Sequence, residues 1–366
     1  IIGERICYHQ KSTTRNVKAC CSITRVVIKN IYMTLITIVN QIFRFKRLKS
    51  NHIAILMTFP EDVMPIIEQL NQKGYELTVI AKEKEWAKLK QFKNVSFVPA
   101  GNNHIVRHIK TISTAKVIVI DTYYLMLGGY HKKKGQTIIQ TWHASGALKN
   151  FGLTDHQVDL NNKKMIQQYK SVYNATDYYL VGGEEMSKCF ESAFDAKRTQ
   201  MLKLGLPRLT KYFKLDLKTE QKKLKKYYNI PNKLALYVPT YRENQMDNRQ
   251  IDKVYFEKQL PNYTLINQLH PSIPNSEHIA PTSELIMMAD IIISDYSSLP
   301  IEASLLNKPT LFYVFDEEEY EEVRGLNQFY RDIPTFYKVK HIDELVTKIK
   351  YNEKEIKPLF KNWHKY

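Results

Sequence analysis

The sequence has few cysteines and none of the common glycine-rich nucleotide motifs. Its four cysteines form no Cys-x-x-Cys or Cys/His ligand spacing, which argues against a zinc site or a disulfide framework and fits a reducing, cytoplasmic compartment. No P-loop and no Gly-x-Gly-x-x-Gly follows a strand-like run, and no Asp-x-Asp metal motif is present. The chain is therefore not a P-loop protein, and it lacks the usual dinucleotide fingerprint.

Acidic residues are in deficit. The chain of 366 residues has 37 Asp and Glu against 54 Lys and Arg, a formal net charge of +17. The partner is therefore expected to be anionic: a nucleic acid, a phosphorylated metabolite or an acidic lipid surface. Because no nucleic-acid-binding motif or basic-aromatic groove pattern is legible, nucleic acid is not expected. With 43% apolar and 25% charged residues, the chain has the composition of a globular protein with room for two domains.

A clean membrane-spanning run is also missing. Residues 1–25 show no periodicity and are set aside as a tail of uncertain status. Residues 26–50 contain an apolar stretch, interrupted by polar residues, and then the basic "RFKRLK". We expect an amphipathic helix that attaches the protein peripherally to the anionic cytoplasmic face of the cell membrane. The alternative is a helix that packs on the protein's own core and has a solvated basic end.

Beyond residue 50, strand-like and helix-like patterns alternate. Strands are predicted at 53–59, 75–81, 95–100, 116–121 and 137–142, and again at 234–240, 263–269, 291–296 and 310–315. Helical patterns lie between them, for example at 61–73, 215–228, 283–290, 299–307 and 342–350. This alternation predicts an α/β fold with two doubly wound Rossmann-type domains, 51–206 and 207–366, facing each other across a cleft.

Two histidines stand where predicted strands end. His143 lies in "QTWHASG", and His270 lies in "NQLHPS", where the following proline favours an extended backbone. Ligands of open α/β sheets bind outside the carboxyl ends of the strands. One histidine from each domain therefore suggests a shared site, in which one removes a proton and the other stabilises charge on a phosphoryl group. Taken alone, either histidine could equally be a structural residue with no role in the chemistry.

The stretch "SDYSSLPIEAS" joins a predicted strand to a predicted helix. Asp295, Ser297 and Ser298 lie in the turn, where serines and free helix amides can bind a phosphate, although the serines can equally serve only as helix caps. Glu302 lies one turn into the helix and is a candidate for binding the hydroxyls of a ribose, although such glutamates also simply favour a helix start.

Further candidates come from two strand-end or linker motifs. "VPTYRE" contains Thr240 and Arg242, and "LGLPR" contains Arg208. Arginine matches phosphate oxygens well, but surface ion pairs explain these residues equally. The acidic run 316–322 is expected to be a solvated loop.

Several of these blocks together resemble one family. "QTWHASGALKNFG", "LGLPR" and "SDYSSLPIEASLLNKPTLFYVFDEEEY" are similar to blocks of the CDP-glycerol glycerophosphotransferases that build wall teichoic acid in Gram-positive bacteria. The similarity covers roughly residues 51–350, and the family is similar to two-domain GT-B glycosyltransferases. It implies transfer of sn-glycerol 3-phosphate from CDP-glycerol to a polyprenyl-diphosphate-linked acceptor, with release of CMP. The short chain most resembles members that add the first glycerol phosphate to N-acetylmannosaminyl-N-acetylglucosaminyl-diphospho-undecaprenol.

The resemblance also implies roles for individual residues. His143 corresponds to the candidate base, and His270 to a group that binds the donor's phosphates. Ser297 and Ser298 correspond to diphosphate contacts, with Glu302 at the ribose. The acceptor-side loop departs from the family pattern "HG-T", because it reads "HASG", with Ser145 and Gly146 as its substrate-binding candidates.

On this interpretation CDP-glycerol is the donor and no cofactor is required, while stimulation by a divalent metal ion is left open. The expected partners are the lipid-linked disaccharide, the anionic membrane surface and other teichoic acid enzymes. Two alternatives remain within the enzyme class. One is a later-acting glycerol- or ribitol-phosphate transferase, and the other is a nucleotide-sugar GT-B glycosyltransferase.

Overall fold

The computed structural model describes residues 15–240, 242, 250–269 and 279–366, with the backbone alone for residues 15–23. Contacts divide the chain into two units. The first contains the described residues up to His143, together with Val158–Leu180 and Phe194–Leu202. The second contains Ala144–Gln157, Val181–Ala193 and the described residues of Lys203–Tyr366. The division is not a single cut after residue 206, because 144–157 and 181–193 make most of their contacts within the second unit.

The first unit is built on a seven-stranded sheet. Its strands are β1 (Lys49–Leu56), β2 (Glu76–Ala81), β3 (Val95–Pro99), β4 (Ala115–Ile120), β5 (Thr137–Gln140), β6 (Tyr178–Leu180) and β7 (Met201–Leu202). All of them pair in parallel, in the order β3-β2-β1-β4-β5-β6-β7. Its helices are α1 (Arg15–Phe43), α2 (Pro60–Gln72), α3 (Trp86–Leu89), α4 (Ile105–Ile112) and α5 (Lys163–Tyr173).

Helices cover both faces of this sheet. In β1, Ile53 and Ile55 pack in a cluster with α2, whereas Ala54 and Leu56 pack in a cluster with α1 and α4. Successive side chains of a strand point to opposite faces, so a parallel strand that is covered on both sides reads as a continuous apolar run. This is why "IAIL" gives such a clear strand signal.

One face of α1 belongs to the core of the first unit. Ile36 and Val39 are buried against the sheet, and Thr37 Oγ1 donates to the carbonyl oxygen of Gly129 at 3.0 Å. A Cβ atom at Gly129 would lie 2.2 Å from the backbone oxygen of Met33, so glycine is needed for the helix to approach this closely. The predicted amphipathic helix is therefore also a structural element of the domain.

The second unit is built on a five-stranded parallel sheet in the order β12-β11-β10-β8-β9. These strands are β8 (Lys233–Val238), β9 (Tyr263–Asn267), β10 (Ile291–Ser294), β11 (Thr310–Tyr313) and β12 (Lys338–Val339). Its helices are α6 (Glu184–Phe194, whose last residue belongs to the first unit), α7 (Leu217–Tyr227), α8 (Lys253–Gln259), α9 (Thr282–Met288), α10 (Leu299–Leu305), α11 (Glu317–Val323), α12 (Gln328–Arg331) and α13 (Ile342–Asn352).

The predicted α/β class, with two parallel sheets of the Rossmann type, is confirmed. All nine predicted strands are present, and most end one or two residues earlier than predicted. The prediction of a loop at 316–322 is wrong: Glu317–Val323 is a helix, and three glutamates in its first turn favour the positive end of the helix dipole.

Candidate functional site

The loop at the carboxyl end of β5 contains His143. Its Nδ1 atom lies 2.8 Å from the backbone carbonyl oxygen of Asp121, the residue after β4. A carbonyl oxygen only accepts hydrogen bonds, so Nδ1 carries the proton when the imidazole is neutral. The lone pair is then on Nε2, which is the arrangement that a general base acting through Nε2 requires.

Two aromatic rings contact His143. The Phe59 ring is stacked on the imidazole, with centroids 4.3 Å apart and planes 14° apart, and the Trp142 ring lies 4.2 Å away. Trp142 has a φ of 62°, in the left-handed region that large side chains rarely adopt. Its backbone N–H donates to Gln140 Oε1 at 3.0 Å, which stabilises the turn. Backbone strain next to a candidate base is a feature that clusters at functional sites.

In the second unit, residues 144–157 pair with the chain that follows α11. The backbone N–H of Asn150 donates to the carbonyl oxygen of Gly325 at 2.9 Å, and Lys149 forms an antiparallel bridge with Leu326. Backbone hydrogen bonds thus fix the loop that carries Ser145 and Gly146.

Ser145 and Gly146 have different environments from each other. Ser145 is 1% exposed, and its hydroxyl has no hydrogen-bond partner among the residues that the structure describes. Such a group is costly unless a ligand or water satisfies it. At Gly146, a Cβ atom would lie 2.5 Å from both Ile301 and the Trp363 ring, so packing alone requires glycine there. The predicted substrate-binding roles of both residues remain predictions.

Three predicted site residues come together between the ends of β8 and β10. The buried Asp295 accepts from the backbone N–H and Oγ1 of Thr240, at 2.8 and 2.6 Å. Its other oxygen lies 3.2 Å from Nη1 of Arg242. The second terminal nitrogen of Arg242 lies 2.8 Å from Asp316, and the guanidinium stands 4.2 Å from the centroid of the Tyr320 ring. This is a dense, buried charge cluster.

Lys149 adds a cation that sequence analysis missed. Its pKa is lowered to about 8: burial and the nearby Arg324 and Arg242 lower the pKa, and Asp295 and Asp155 oppose them only in part. Both carboxylates are already paired, since Asp155 lies 2.7 Å from Arg324 and Asp295 binds Arg242. Lys149 is thus a poorly compensated cation beside the charge cluster. The sequence gives little indication of this role, because Lys149 is a single lysine inside the block that follows His143.

The serine pair immediately precedes α10. Ser297 Oγ accepts from the backbone N–H of Leu299 at 3.2 Å, so this serine does cap the helix. Ser298 occupies the N-cap position, and its side chain makes no capping hydrogen bond. The capping explanation therefore accounts for one serine and leaves Ser298 as the stronger ligand candidate.

The carboxylate predicted to bind a ribose has protein partners. Glu302 is 4% exposed, accepts from the hydroxyl of Tyr212 at 2.7 Å, and lies 3.2 Å from Nε of Arg208. These contacts hold Glu302 and Arg208 together in the second unit, so neither is a simple surface residue. Their roles toward a nucleotide remain predictions.

The other candidate histidine, His270, lies outside the described residues. In the described part of the chain, no group of three or more His, Cys, Asp or Glu side chains is arranged to hold a metal ion.

The outer face of α1 is a second candidate functional surface. Six of its apolar side chains are about half exposed or more: Val27, Ile28, Ile31, Leu35, Ile38 and Ile42. They recur every three or four residues, which places them on one side of the helix, away from Ile36 and Val39. Among the described helices, Thr24–Phe43 is the segment that is long and apolar enough to cross a membrane. Basic residues at 44, 46, 47 and 49 follow it directly.

Two doubly wound parallel-sheet units in one chain constitute a GT-B-like architecture. A solved structure of the wall teichoic acid polymerase TagF superposes with a TM-score of 0.69 at 20% identity, covering 94% of this chain and 90% of that chain. At this identity the likeness shows the fold.

Sequence comparisons define the family. The profile described as CDP-glycerol:poly(glycerophosphate) glycerophosphotransferase matches residues 38–362. A teichoic acid glycerol-phosphate primase of Staphylococcus aureus (strain NCTC 8325 / PS 47) is 53% identical over 346 residues, covering 93% of this chain and 94% of that protein. One of Bacillus subtilis (strain 168) is 32% identical over 367 residues, with the same coverage. The chain belongs to this glycerophosphotransferase family, so the prediction of an enzyme of this kind is confirmed.

Proposed function

We propose that this enzyme is a primase that transfers sn-glycerol 3-phosphate from CDP-glycerol to N-acetylmannosaminyl-N-acetylglucosaminyl-diphospho-undecaprenol and releases CMP. The observation that carries the proposal is the 53% identity, over nearly the whole of both chains, to a relative named as a glycerol-phosphate primase. Neither this relative nor the Bacillus subtilis primase names the acceptor, which is inferred from the family resemblance.

The chemistry is a single in-line displacement. The acceptor hydroxyl attacks the β-phosphorus of CDP-glycerol, a new O–P bond forms, and the P–O bond to CMP breaks. The hydroxyl proton passes to Nε2 of His143, whose tautomer is favoured by the hydrogen bond from Nδ1 to Asp121. General base catalysis of this kind typically contributes about 10²- to 10⁴-fold.

Positive and polar groups of the second unit would stabilise the charge on the phosphoryl oxygens and on CMP. We assign this role to Ser298, Arg242 and Lys149, together with His270. The poorly compensated ammonium of the half-buried Lys149 supports it, because a phosphate would supply the missing counter-charge. Glu302, supported by Arg208, is the candidate for the ribose. If a divalent metal ion binds with the donor, it would add charge neutralisation at the diphosphate.

The exposed face of α1 would attach the protein to the cytoplasmic face of the membrane, where the lipid-linked acceptor is found. An apolar face with a basic flank is suited to an anionic interface. The opposite face of α1 is committed to the core of the first unit, which favours a helix lying in the interface over one that spans the bilayer. Other teichoic acid enzymes are further candidate partners at that surface.

The decisive experiment measures CMP release from CDP-glycerol with two acceptors: the bare lipid-linked disaccharide and the same acceptor already bearing one glycerol phosphate. Wild type and His143→Gln are compared. Turnover of the bare disaccharide only, lost in the variant, is the expected result. Turnover only of the primed acceptor would make the protein a later-acting transferase. Turnover with UDP-sugars but not with CDP-glycerol would make it a nucleotide-sugar glycosyltransferase.

A further inference from the structure

Asp121 is fully buried at the carboxyl end of β4. One carboxylate oxygen accepts the backbone N–H groups of Thr58 and Phe59, each at 2.6 Å, and the other accepts the hydroxyl of Tyr124 at 2.8 Å. That hydroxyl lies 2.8 Å from Oγ1 of Thr58, which closes the network. The carboxylate therefore ties the end of β4 to the turn between β1 and α2.

This arrangement has an energetic cost. The pKa of Asp121 is raised to about 6, because burial raises it and the hydrogen bonds from Phe59, Tyr124 and Thr58 offset only part of that effect. An amide or an apolar side chain would fill the position without burying a charge. A buried carboxylate that makes these contacts, next to a candidate base, points to a role in the site.

Asp121 influences the position of His143 through two sets of contacts. Its own carbonyl oxygen accepts from Nδ1 of the imidazole. Its carboxylate holds the backbone N–H of Phe59, whose ring stacks on the same imidazole. One residue thus determines both which nitrogen carries the proton and the plane in which the ring lies.

We infer that Asp121 is a positioning residue, which fixes the tautomer and the ring plane of His143 so that Nε2 faces the acceptor hydroxyl. This inference rests on the proposed function, because it presumes that His143 is the base. Asp121 itself does not touch the reacting atoms and does not accept the proton of the acceptor hydroxyl.

Three variants test the inference. Asp121→Ala removes the carboxylate, whereas Asp121→Asn keeps an oxygen for the two backbone N–H groups and an amide to donate to Tyr124. The matched control is Gln136→Ala. Gln136 is also buried in the first unit and donates to the carbonyl oxygens of Ile112 and Ala115, but it lies at the opposite, amino edge of the sheet.

We expect Asp121→Ala to lower kcat by about 10²-fold through misplacement of the base, with a much smaller change in KM for CDP-glycerol. Asp121→Asn should recover most of that loss, and Gln136→Ala should lose stability without the selective fall in kcat. The acidic limb of the pH profile of kcat/KM should move in Asp121→Ala and stay in place in the control.

A second readout does not depend on turnover. With ¹⁵N-labelled histidine, and His143→Gln for assignment, the wild-type ring should show a protonated Nδ1 and an unprotonated Nε2. Asp121→Ala keeps the backbone carbonyl that accepts from Nδ1 but removes the carboxylate contacts that hold this residue in place. The carbonyl should therefore shift, and the two nitrogens should move toward an average. If this variant does not fold, Phe59→Leu replaces it, since loss of the stacked ring should give the same selective fall in kcat.

An unchanged tautomer together with a kcat near that of wild type in Asp121→Ala would overturn the inference, and so would a kcat near that of wild type in Phe59→Leu. Failure of the proposed function looks different. In that case wild type releases no CMP from CDP-glycerol, while the tautomer measurement still reports on Asp121.

Discussion

Arg242 joins two carboxylates and lies over the ring of Tyr320. It lies 3.2 Å from Asp295 and 2.8 Å from Asp316, and its guanidinium stands 4.2 Å from the centroid of the Tyr320 ring. Planar geometry is what allows one side chain to make all three contacts. A lysine at this position could not make the same three contacts, so the geometry of the guanidinium matters here as well as its charge.

Arg242→Met should destabilise the second unit by about 3–5 kcal/mol, because it leaves the buried carboxylate of Asp295 without its cation. Urea unfolding measures the effect. Arg331→Met is the control: Arg331 forms an exposed pair with Glu321 at 2.8 Å, so its loss should cost no more than about 1 kcal/mol. Equal losses for the two variants would mean that the pair at Arg242 is not an important buried contact.

Lys149→Met should weaken CDP-glycerol binding by about 10-fold or more, because a hydrogen-bonded charge contact to phosphate is lost. Since the pKa of Lys149 is lowered to about 8, the wild-type ammonium loses its charge as the pH rises through that value. KM for CDP-glycerol should therefore rise above about pH 8 in wild type and stay flatter in Lys149→Met. The exposed Lys222, changed to Met, provides the control for overall charge. A parallel rise in wild type and Lys149→Met would exclude Lys149 as the titrating group.

Gly146→Ala should destabilise the second unit by about 1–3 kcal/mol, because the added methyl group overlaps Ile301 and Trp363. Adding Ile301→Val removes one of the two clashes and should restore part of the loss. Thermal unfolding of the single and double variants tests this. A normal melting temperature combined with a raised KM would instead assign Gly146 to substrate binding alone.

Replacing Ile31, Leu35 and Ile38 with Gln should release the protein from phosphatidylglycerol vesicles and leave its thermal stability unchanged. Each of these side chains is about half exposed and would contribute apolar burial in the interface. Val106→Gln, which changes an exposed valine on α4, should leave vesicle binding intact. Salt should weaken wild-type binding through the basic flank. Cosedimentation that does not change in the triple variant would disprove the anchor.

Much of this architecture can be predicted from the sequence, because strands buried on both faces give uninterrupted apolar runs such as "IAIL" and "IIIS". The short strands β6, β7 and β12 could not be predicted, since a segment of two or three residues is too short to show a periodic pattern. The helix α11 was not predicted, because an acidic run suggests a solvated loop. Glutamates are, however, also favoured in the first turn of a helix.

Candidate site residues could be proposed from the sequence where polar residues follow a predicted strand, as His143 and Asp295 do. Asp121 also stands at a strand end, but its function depends on which backbone N–H groups lie nearby, and those come from a turn more than 60 residues earlier in the chain. The cluster around Lys149 depends likewise on pairing between segments far apart in sequence, which no local pattern encodes.

The contacts of Trp363 can form only late in the synthesis of the chain. Its ring covers Gly146, and its backbone lies against Gly182 and Gly183, so these three glycines leave the ribosome long before the residue that covers them. The strands of the first unit are complete by residue 202. Domains fold as units during synthesis, and long-range contacts form late. The nascent chain therefore carries the segments 144–157 and 181–193 without this cover until the last residues are made, and a chaperone that shields them would act in that interval.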